Sequence, residues 1–341
     1  MKKGLVAVSG GVDSTAVMRD YIRNGVDVDG VMMRVHNADE SAVGDAKSAC
    51  EKLGTSLHIL NLEDEFKKLV IDEFVNEYLN CRTPNPCIMC NIRMKFGILA
   101  DFAKEHGYDF LATGHYARIE RSGDNFYLKK AKDIKKDQSY VLFGINRELL
   151  PFLRFPMGDT TKEEAREALV KDGFVNAGRK DSQDICFIPD GKYAEFIENY
   201  LGHGFEEGDF CDLDGNVLGR HKGLIRYTIG QRKGLGLALP QPMYVVELRP
   251  DTNKVLLGLT EDLMSKRLTA DNVNWLADGI TDGMRVMARA RYNMKESPAR
   301  VFFADDGKIE VEFDDAQRAI TRGQSVVLYD GDVVLGGGRI I

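Results

Sequence analysis

Apolar strand patterns alternate with helical patterns in the first part of the chain. Residues 4–8 form a short apolar run typical of a buried strand, and a glycine-rich loop after them leads into a helix that ends before Gly25. Strand, helix and strand patterns then follow over residues 28–35, 41–53 and 56–62. This repetition predicts an α/β fold with a parallel, doubly wound sheet.

A later strand brings polar residues to one edge of this sheet. A helix is predicted over 95–106, and a strand over 109–113 ends at Gly114, His115 and Tyr116. Ligands of open α/β sheets bind at the carboxyl ends of the strands. We therefore expect this edge to form the ligand site.

The pattern changes after about residue 195. Short glycine-rich segments and turn signals such as Asp214-Gly215 predict a small β-rich region. Strand patterns over 301–303, 309–313 and 326–329 predict an antiparallel β-barrel or sandwich at the end. The predicted domains span residues 1–194, 195–261 and 262–341.

Composition indicates a globular protein with a large core. Of 341 residues, 43% are hydrophobic and 29% are charged, which argues against disorder and fibrous repeats. No run approaches the roughly 18 apolar residues of a membrane span, and no leader pattern is visible, so we expect a cytoplasmic protein without a membrane partner. The net charge of −7 argues mildly against nucleic acid, but a lysine-rich stretch over 129–136 is a local basic cluster.

The glycine-rich loop is a phosphate-binding motif. Residues 9–14 read Ser-Gly-Gly-Val-Asp-Ser, and glycines let backbone N–H groups approach an anion beside the positive end of the next helix. The loop lacks the Lys-Ser/Thr pair that holds the β- and γ-phosphates in a P-loop. Adenylation with release of pyrophosphate is therefore favoured over γ-phosphoryl transfer, and a turn without a ligand is the alternative.

Cysteine spacing leaves several chemistries open. Cys87-Ile-Met-Cys90 is a C-x-x-C pair that, with Cys186, offers three ligands for a [4Fe–4S] cluster, while a C-x-x-C is also a zinc half-site. Alternatively, one cysteine carries a persulfide and a second thiol frees its sulfur by closing a disulfide. Cys186 as a buried apolar residue is the structural alternative. The other cysteines are interpreted as a bystander or fourth ligand (Cys81) and as structural (Cys50 and Cys211).

Ordered blocks along nearly the whole chain carry a resemblance. They are residues 9–14, 83–86 (Thr-Pro-Asn-Pro) with Cys90-Asn91, 112–116, 136–140, 181–188, 228–236 and 335–338. They resemble the tRNA-specific 2-thiouridylase family, a branch of the pyrophosphatase-loop enzymes that adenylate their substrates with ATP. The resemblance implies an adenine-nucleotide α-hydrolase-like first domain, and tRNA-binding roles for the central domain and the barrel.

The implied reaction places sulfur at C2 of the wobble uridine of tRNA. ATP with Mg²⁺ adenylates the C2 oxygen, because a carbonyl oxygen is a poor leaving group and AMP is a good one. The resemblance implies that Cys186 carries the persulfide and that Cys90 is the nucleophile that pairs with it. An upstream donor, either a sulfur-relay protein or a cysteine desulfurase, supplies the sulfur.

The resemblance also implies which residues form the binding sites. Met33 is expected near the adenine, and Asn85, Pro86 and Cys87 are expected to wall the target-base pocket. The remaining ATP-site residues are Ala7, Val8, Ser9, Gly10, Gly11, Val12, Asp13, Ser14 and Gly114. The expected tRNA contacts are His115, Lys136, Asp137, Gln138, Arg291, Tyr292 and Gln324.

Cys87 departs from the family pattern. Many members have at this position an Asp thought to assist acid–base chemistry, and a thiol does not inherit that role. Hydrosulfide on a cluster held by Cys87, Cys90 and Cys186 is therefore an alternative sulfur source. Two other functions remain open: a related adenylating ligase or amidotransferase for a small metabolite, and a non-catalytic iron–sulfur protein that binds RNA.

Overall fold

The first part of the chain forms a parallel sheet. The computed structural model describes residues 2–36, 40–178 and 185–341. The strands of the first part are β1 (Lys3–Ala7), β2 (Asp27–Arg34), β3 (Leu57–Asn61), β4 (Phe110–Ala112), β5 (Ala117–Ser122), β6 (Asn125–Lys130) and β7 (Leu153–Arg154). Five of them pair in parallel in the order β3-β2-β1-β4-β7.

Helices connect these strands. The α-helices are α1 (Val12–Arg23), α2 (Glu40–Leu53), α3 (Glu63–Phe66), α4 (Asp72–Leu79), α5 (Pro86–Met89), α6 (Leu99–Glu105), α7 (Ser139–Leu142), α8 (Lys162–Lys171) and α9 (Tyr193–Leu201). Two π-helical segments, Lys67–Ile71 and Cys90–Ile98, join α3 to α4 and α5 to α6. The helix predicted over 95–106 thus forms as the end of a π-helix followed by α6.

Both faces of the parallel sheet are buried. Leu5 and Leu111 pack with α6 and α7 on one face, while Val6 and Ala112 pack with α1, α2 and α8 on the other. Successive side chains of a strand point to opposite faces, so a strand covered on both sides is apolar throughout. This explains the apolar run over 4–8 and confirms the predicted doubly wound fold.

The middle part is a small β-sheet. Its strands are β8 (Gly208–Cys211), β9 (Val217–His221), β10 (Tyr244–Arg249) and β11 (Lys254–Gly258), in the order β10-β11-β8-β9. Only the pair β11 and β8 is parallel among these pairings. Phe210, Val245 and Leu257 lie in its core. Ahead of this sheet, α9 packs instead on the first part, where Ile197 shares a core with Phe74 of α4.

The last part closes into an antiparallel barrel. Its strands are β12 (Met264–Trp275), β13 (Met284–Arg289), β14 (Ser297–Phe303), β15 (Ile309–Arg318), β16 (Ser325–Asp330) and β17 (Val333–Ile340). They pair in the order β12-β15-β14-β13-β16-β17, and pairing of β12 with β17 completes the closure. Alternate residues such as Val286, Ala288 and Val301 fill the interior. The predicted C-terminal barrel is confirmed.

The hairpin of β5 and β6 joins the first part to this barrel. β6 pairs with β17 opposite Val333, and Lys130 N donates to Asp332 O at 2.9 Å. The Lys130 ammonium also lies 2.7 Å from a Glu296 carboxylate oxygen. The strand patterns gave no sign of this junction, because they indicate which segments are extended but not which distant segment each one pairs with.

Short 3₁₀ helices complete the structure. They span Arg147–Phe152, Pro156–Asp159, Val175–Gly178, Leu224–Arg226, Pro250–Thr252, Glu261–Leu263 and Asp305–Gly307. No helix within the described ranges has both the length and the apolar character needed to cross a membrane.

Candidate active site

The glycine loop between β1 and α1 has a geometry that only glycine permits. Gly10 has φ +74°, and a Cβ there would lie 2.4 Å from the Ala42 carbonyl oxygen. The Ser14 hydroxyl accepts a hydrogen bond from Ser9 N at 3.1 Å, which folds the loop over the helix start. Gly11 is the N-cap of α1 and gives it no side-chain cap. The helix end is therefore suited to an anion, because its first N–H groups have no side-chain partner at the cap.

Asp13 anchors a buried cation at this loop. Lys162 Nζ lies 2.8 Å and 2.7 Å from the two Asp13 carboxylate oxygens, and the Tyr116 hydroxyl donates to the same carboxylate at 2.7 Å. Lys162 is only 7% exposed. Lys162 was not among the residues predicted from the sequence. The Thr161–Glu164 capping box marks the start of α8, but it carries no sign that the lysine reaches the loop.

Other predicted ATP-site residues lie around the same edge. A Cβ on Gly114 would lie 3.0 Å from Asp13 Cβ and from Ser14 N, so β4 delivers Gly114 directly against the loop. Asn176, which was not predicted from the sequence, donates to Gly10 O at 3.0 Å. Met33, near the end of β2, is half-buried and packs in an apolar cluster that also includes Cys90.

The cysteine helix starts with a side-chain cap. Asn85 is the N-cap of α5 and accepts a hydrogen bond from Cys87 N at 3.2 Å, and Pro86 follows as the first helical residue. Cys87 and Cys186 are exposed, and Cys90 is half-buried. The three predicted site cysteines are free thiols. The block that includes Cys186 begins at Asp181, which lies outside the described residues.

The three thiols share one electrostatic environment. Desolvation by the surrounding protein atoms, together with smaller effects of the neighbouring Cys90 and Cys87, raises the pKa of Cys186 to about 11, while Lys95 acts in the opposite direction. The same desolvation raises the pKa of Cys87 and of Cys90, and Lys95 again acts in the opposite direction. In the resting protein the thiols therefore stay protonated near neutral pH.

Lys95 also contacts His115, in the segment after β4 that carries Gly114 against the glycine loop. Its ammonium lies 3.2 Å from His115 Nε2, and His115 Nδ1 lies 2.7 Å from the Thr113 hydroxyl oxygen. An ammonium only donates, so Nε2 accepts and Nδ1 carries the proton. Burial, together with the Lys95 charge, holds the pKa of His115 well below its usual value. His115 is thus a neutral link between Lys95 and Thr113, the residue before Gly114.

A metal centre is not formed by the described part of the chain. No three His, Cys, Asp or Glu side chains within it lie close enough together to hold a metal ion. Cys87, Cys90 and Cys186 influence one another electrostatically but are not arranged as cluster ligands. The residues present therefore do not fit the iron–sulfur group in this conformation.

Several residues expected to contact tRNA hold the protein itself together. Asp137 is 5% exposed and accepts hydrogen bonds from Ala131 N and from Ser139. The Gln138 side chain accepts from Tyr116 N at 2.9 Å. His115 is buried between Lys95 and Thr113. A role of these residues in RNA contact stays a prediction.

The other expected tRNA contacts lie in the barrel and in the basic stretch. Gln324 Nε2 donates to Thr83 O at 2.7 Å, and Arg291 donates to Ile229 O at 3.0 Å. Tyr292 is partly exposed, and the nearby charges of Asp137 and Cys87 add to the effect of burial in raising its pKa, which Lys136 lowers. Within the basic stretch, three lysines form ion pairs with acidic residues: Lys129 with Glu120, Lys130 with Glu296 and Lys132 with Asp159.

Comparison with known proteins assigns the chain to a family. Three family models match in succession: a tRNA methyl transferase HUP domain over residues 2–190, a tRNA methyl transferase PRC-barrel domain over 194–259 and an aminomethyltransferase beta-barrel domain over 265–340. A tRNA-specific 2-thiouridylase MnmA of Clostridioides difficile is 43% identical over 99% of this chain and 98% of its own length. The chain belongs to the tRNA-specific 2-thiouridylase family.

A second 2-thiouridylase matches this chain from end to end, and a solved structure matches part of it. The tRNA-specific 2-thiouridylase MnmA of Lachnoclostridium phytofermentans is 44% identical over the full length of both chains. Among solved structures, a 4-thiouridine synthetase in an RNA complex with bound ATP is 22% identical over 59% of this chain and 50% of its own, with a TM-score of 0.40. The matches to the two tRNA-specific 2-thiouridylases confirm the family predicted from the ordered sequence blocks and its class, an enzyme.

Proposed function

We propose that this chain is a tRNA-uridine 2-sulfurtransferase that converts the wobble uridine of tRNA to 2-thiouridine. The observation that carries the proposal is the match of 43% to 44% identity along essentially the whole chain to proteins named tRNA-specific 2-thiouridylases. The site supports it further. Gly114 packs on the glycine loop, and the next residue, His115, contacts Lys95, whose charge acts on all three thiols.

The first step is adenylation of the target base. ATP binds with its phosphates at the glycine loop and the start of α1, and Mg²⁺ accompanies the phosphates, as it usually does with few protein ligands. The uridine C2 oxygen attacks the α-phosphorus, an O–P bond forms, and pyrophosphate leaves. Lys162, held by Asp13, supplies positive charge beside the loop. The oxygen at C2 has become part of a leaving group, AMP.

The second step transfers sulfur. An upstream donor leaves a persulfide on Cys186, and the terminal sulfur attacks C2, so that a C–S bond forms and AMP departs with the C2 oxygen. The Cys90 thiolate then attacks the Sγ of Cys186. The S–S bond breaks, its electron pair stays with the sulfur on the base, and a Cys90–Cys186 disulfide forms. A thiol reductant returns both cysteines to the reduced state.

Recognition of the base requires that it leave its stack. The uridine enters beside Asn85, Pro86 and Cys87, where polar groups and the helix start read its edge. We propose that the central region and the barrel, with bounds at 195–261 and 262–341, bind the tRNA body. Among the predicted tRNA contacts of the barrel, Tyr292 has the most exposed side chain.

The alternative sulfur source is a [4Fe–4S] cluster on Cys87, Cys90 and Cys186. Because the described residues lack a three-ligand metal group, we favour free thiols. Anaerobic purification decides between them. Iron near four per chain, with a visible absorption band and activity that needs both, would establish the cluster instead.

The proposed activity is tested with tRNA lacking the modification. The chain is incubated with this tRNA, ATP, Mg²⁺ and a persulfide donor, and the digested nucleosides are analysed by mass spectrometry. We expect 2-thiouridine, with AMP and pyrophosphate formed in equal amounts. AMP formation with another substrate and no 2-thiouridine would indicate a different adenylating enzyme.

A further inference from the structure

The loop between β15 and β16, residues 319–324, lies against the segment that leads into the cysteine helix. Both backbone polar groups of Thr83 are bound by this loop: Thr83 N donates to Arg322 O at 2.9 Å, and Thr83 O accepts from Gln324 Nε2 at 2.7 Å. Thr83 stands two residues before Asn85, the N-cap of α5. The start of the cysteine helix is therefore fixed by the distant barrel.

The approach of the two segments is too close for a side chain. Gly323 has φ +87°, and a Cβ there would lie 2.8 Å from Arg82 Cβ and 2.8 Å from Thr83 N. The loop also contains Ala319 at φ +55°, a left-handed conformation that costs free energy for a residue with a side chain. Such a conformation persists only when its surroundings hold it in place.

The surroundings of the loop come from all three parts of the chain. Gly323 N donates to Ile340 O at 2.9 Å, which ties the loop to β17. Arg291 donates both to the Thr321 hydroxyl and to Ile229 O in the middle part. A Cβ on Gly230 would lie 2.8 Å from Ala319 Cβ, so the middle part also packs closely on the loop.

We propose that the loop over 319–324 is a positioning element. It fixes the wall of the target-base pocket and the start of the cysteine helix relative to the barrel. Gln324 is then a positioning residue, acting through Thr83 on the segment that carries Asn85 and Cys87. Arg291 supports it by fixing Thr321. The loop proposal extends the proposed thiolation activity. Its kinetic test requires that activity, whereas its hydrogen-exchange test does not.

The structural test is hydrogen exchange on the full chain without tRNA. In Gly323→Ala, the new methyl group displaces Thr83, and we expect amide exchange over residues 82–90 to rise about tenfold, as loss of local hydrogen bonding permits opening. Gly307→Ala is the matched control, because Gly307 has φ +69° and no atom within 4 Å of its added Cβ. Equal exchange over 82–90 in both variants would overturn the proposal.

Gln324→Ala gives a second, milder variant that leaves the backbone unstrained. A positioning residue predicts a single-turnover thiolation rate about tenfold lower at saturating tRNA, with an unchanged Kd for tRNA. A direct RNA contact instead predicts weaker tRNA binding with the saturated rate retained, and that result would overturn the assignment of Gln324. If no variant or wild-type chain forms 2-thiouridine, the proposed function fails, and the exchange experiment still decides on the loop.

Discussion

The glycine loop and the thiol site differ in which parts of the chain supply the residues that hold them in place. The loop combines bonds within its own turn, from Ser14 to Ser9 and from Thr15 to Gly11, with bonds from distant side chains. Those distant side chains, Tyr116, Lys162 and Asn176, all belong to the first part of the chain. The cysteine helix, in contrast, is placed by Gln324 of the barrel, and its partner thiol comes from the segment before α9. The loop therefore depends on the packing of the first part alone, whereas the thiol site also depends on the packing of the barrel.

The two regions should accordingly carry separable steps of the reaction. The loop region serves adenylation, and the thiol region serves sulfur transfer, with His115 and Lys95 between them. Substitutions that affect one step and spare the other would sharpen this division. Substitutions that slow adenylation and sulfur transfer equally would contradict this division.

The largest effect is expected from the thiols. Cys90→Ser and Cys186→Ser each remove a sulfur that the transfer requires, so 2-thiouridine formation should fall about a thousandfold or more, while pyrophosphate release in the first turnover stays near wild type. Nucleoside analysis and a pyrophosphate assay measure the two steps. Cys81→Ser is the control and should retain both. Product formed by Cys186→Ser from a persulfide donor would assign the carrier elsewhere.

A large effect is also expected from the loop. Asp13→Ala should lower pyrophosphate release about a hundredfold and, by leaving the nearly buried Lys162 without its carboxylate, reduce the free energy of unfolding by about 2 kcal/mol. Denaturant unfolding and the pyrophosphate assay test the two effects.

A double variant separates stability from chemistry at Asp13. Asp13→Ala combined with Lys162→Met removes the buried charge that has lost the Asp13 carboxylate, and it should recover much of the stability without recovering adenylation. If activity returned with stability, Asp13 would serve only to neutralise Lys162.

Local motifs explain which features were predictable from the sequence. The glycine loop is a contiguous motif whose required φ values and helix start are all encoded within a few residues, so its position after β1 was predicted correctly. The burial of both faces of the sheet could be predicted from the apolar run over 4–8, because a strand covered on both faces has no polar side.

Side chains that act over long sequence distances were not predictable in the same way. Lys162 reaches Asp13 from another helix, and Gln324 reaches Thr83 from the barrel. Nothing in the local pattern of either residue differs from that of an ordinary surface residue. The barrel fold was predicted from alternation, but its junction with β6 was not, because alternation does not specify the neighbouring strand.

The smallest expected effect concerns Lys95, which lies between the glycine loop and the thiol site. An α-helix would turn Lys95 about 140° away from Cys90, since each residue advances about 100°. In the π-helix Cys90–Ile98, hydrogen bonds join residues five positions apart in the chain. This wider turn brings Cys90 and Lys95 closer to the same face of the helix. The lysine charge lowers the pKa of the Cys90 thiol, against the effect of burial.

Lys95→Gln should therefore raise the pKa of Cys90 and Cys186 and decrease their thiolate fraction at a given pH. We expect alkylation at pH 8, resolved by peptide mass spectrometry, to slow about threefold to tenfold, with the pH profile displaced upwards. Lys95→Arg keeps the charge and should preserve the profile, and Lys104→Gln removes an exposed lysine as a control. Cys81 serves as an internal reference, because burial alone raises its pKa. An unchanged profile in Lys95→Gln would show that the lysine acts on His115 without activating the thiols.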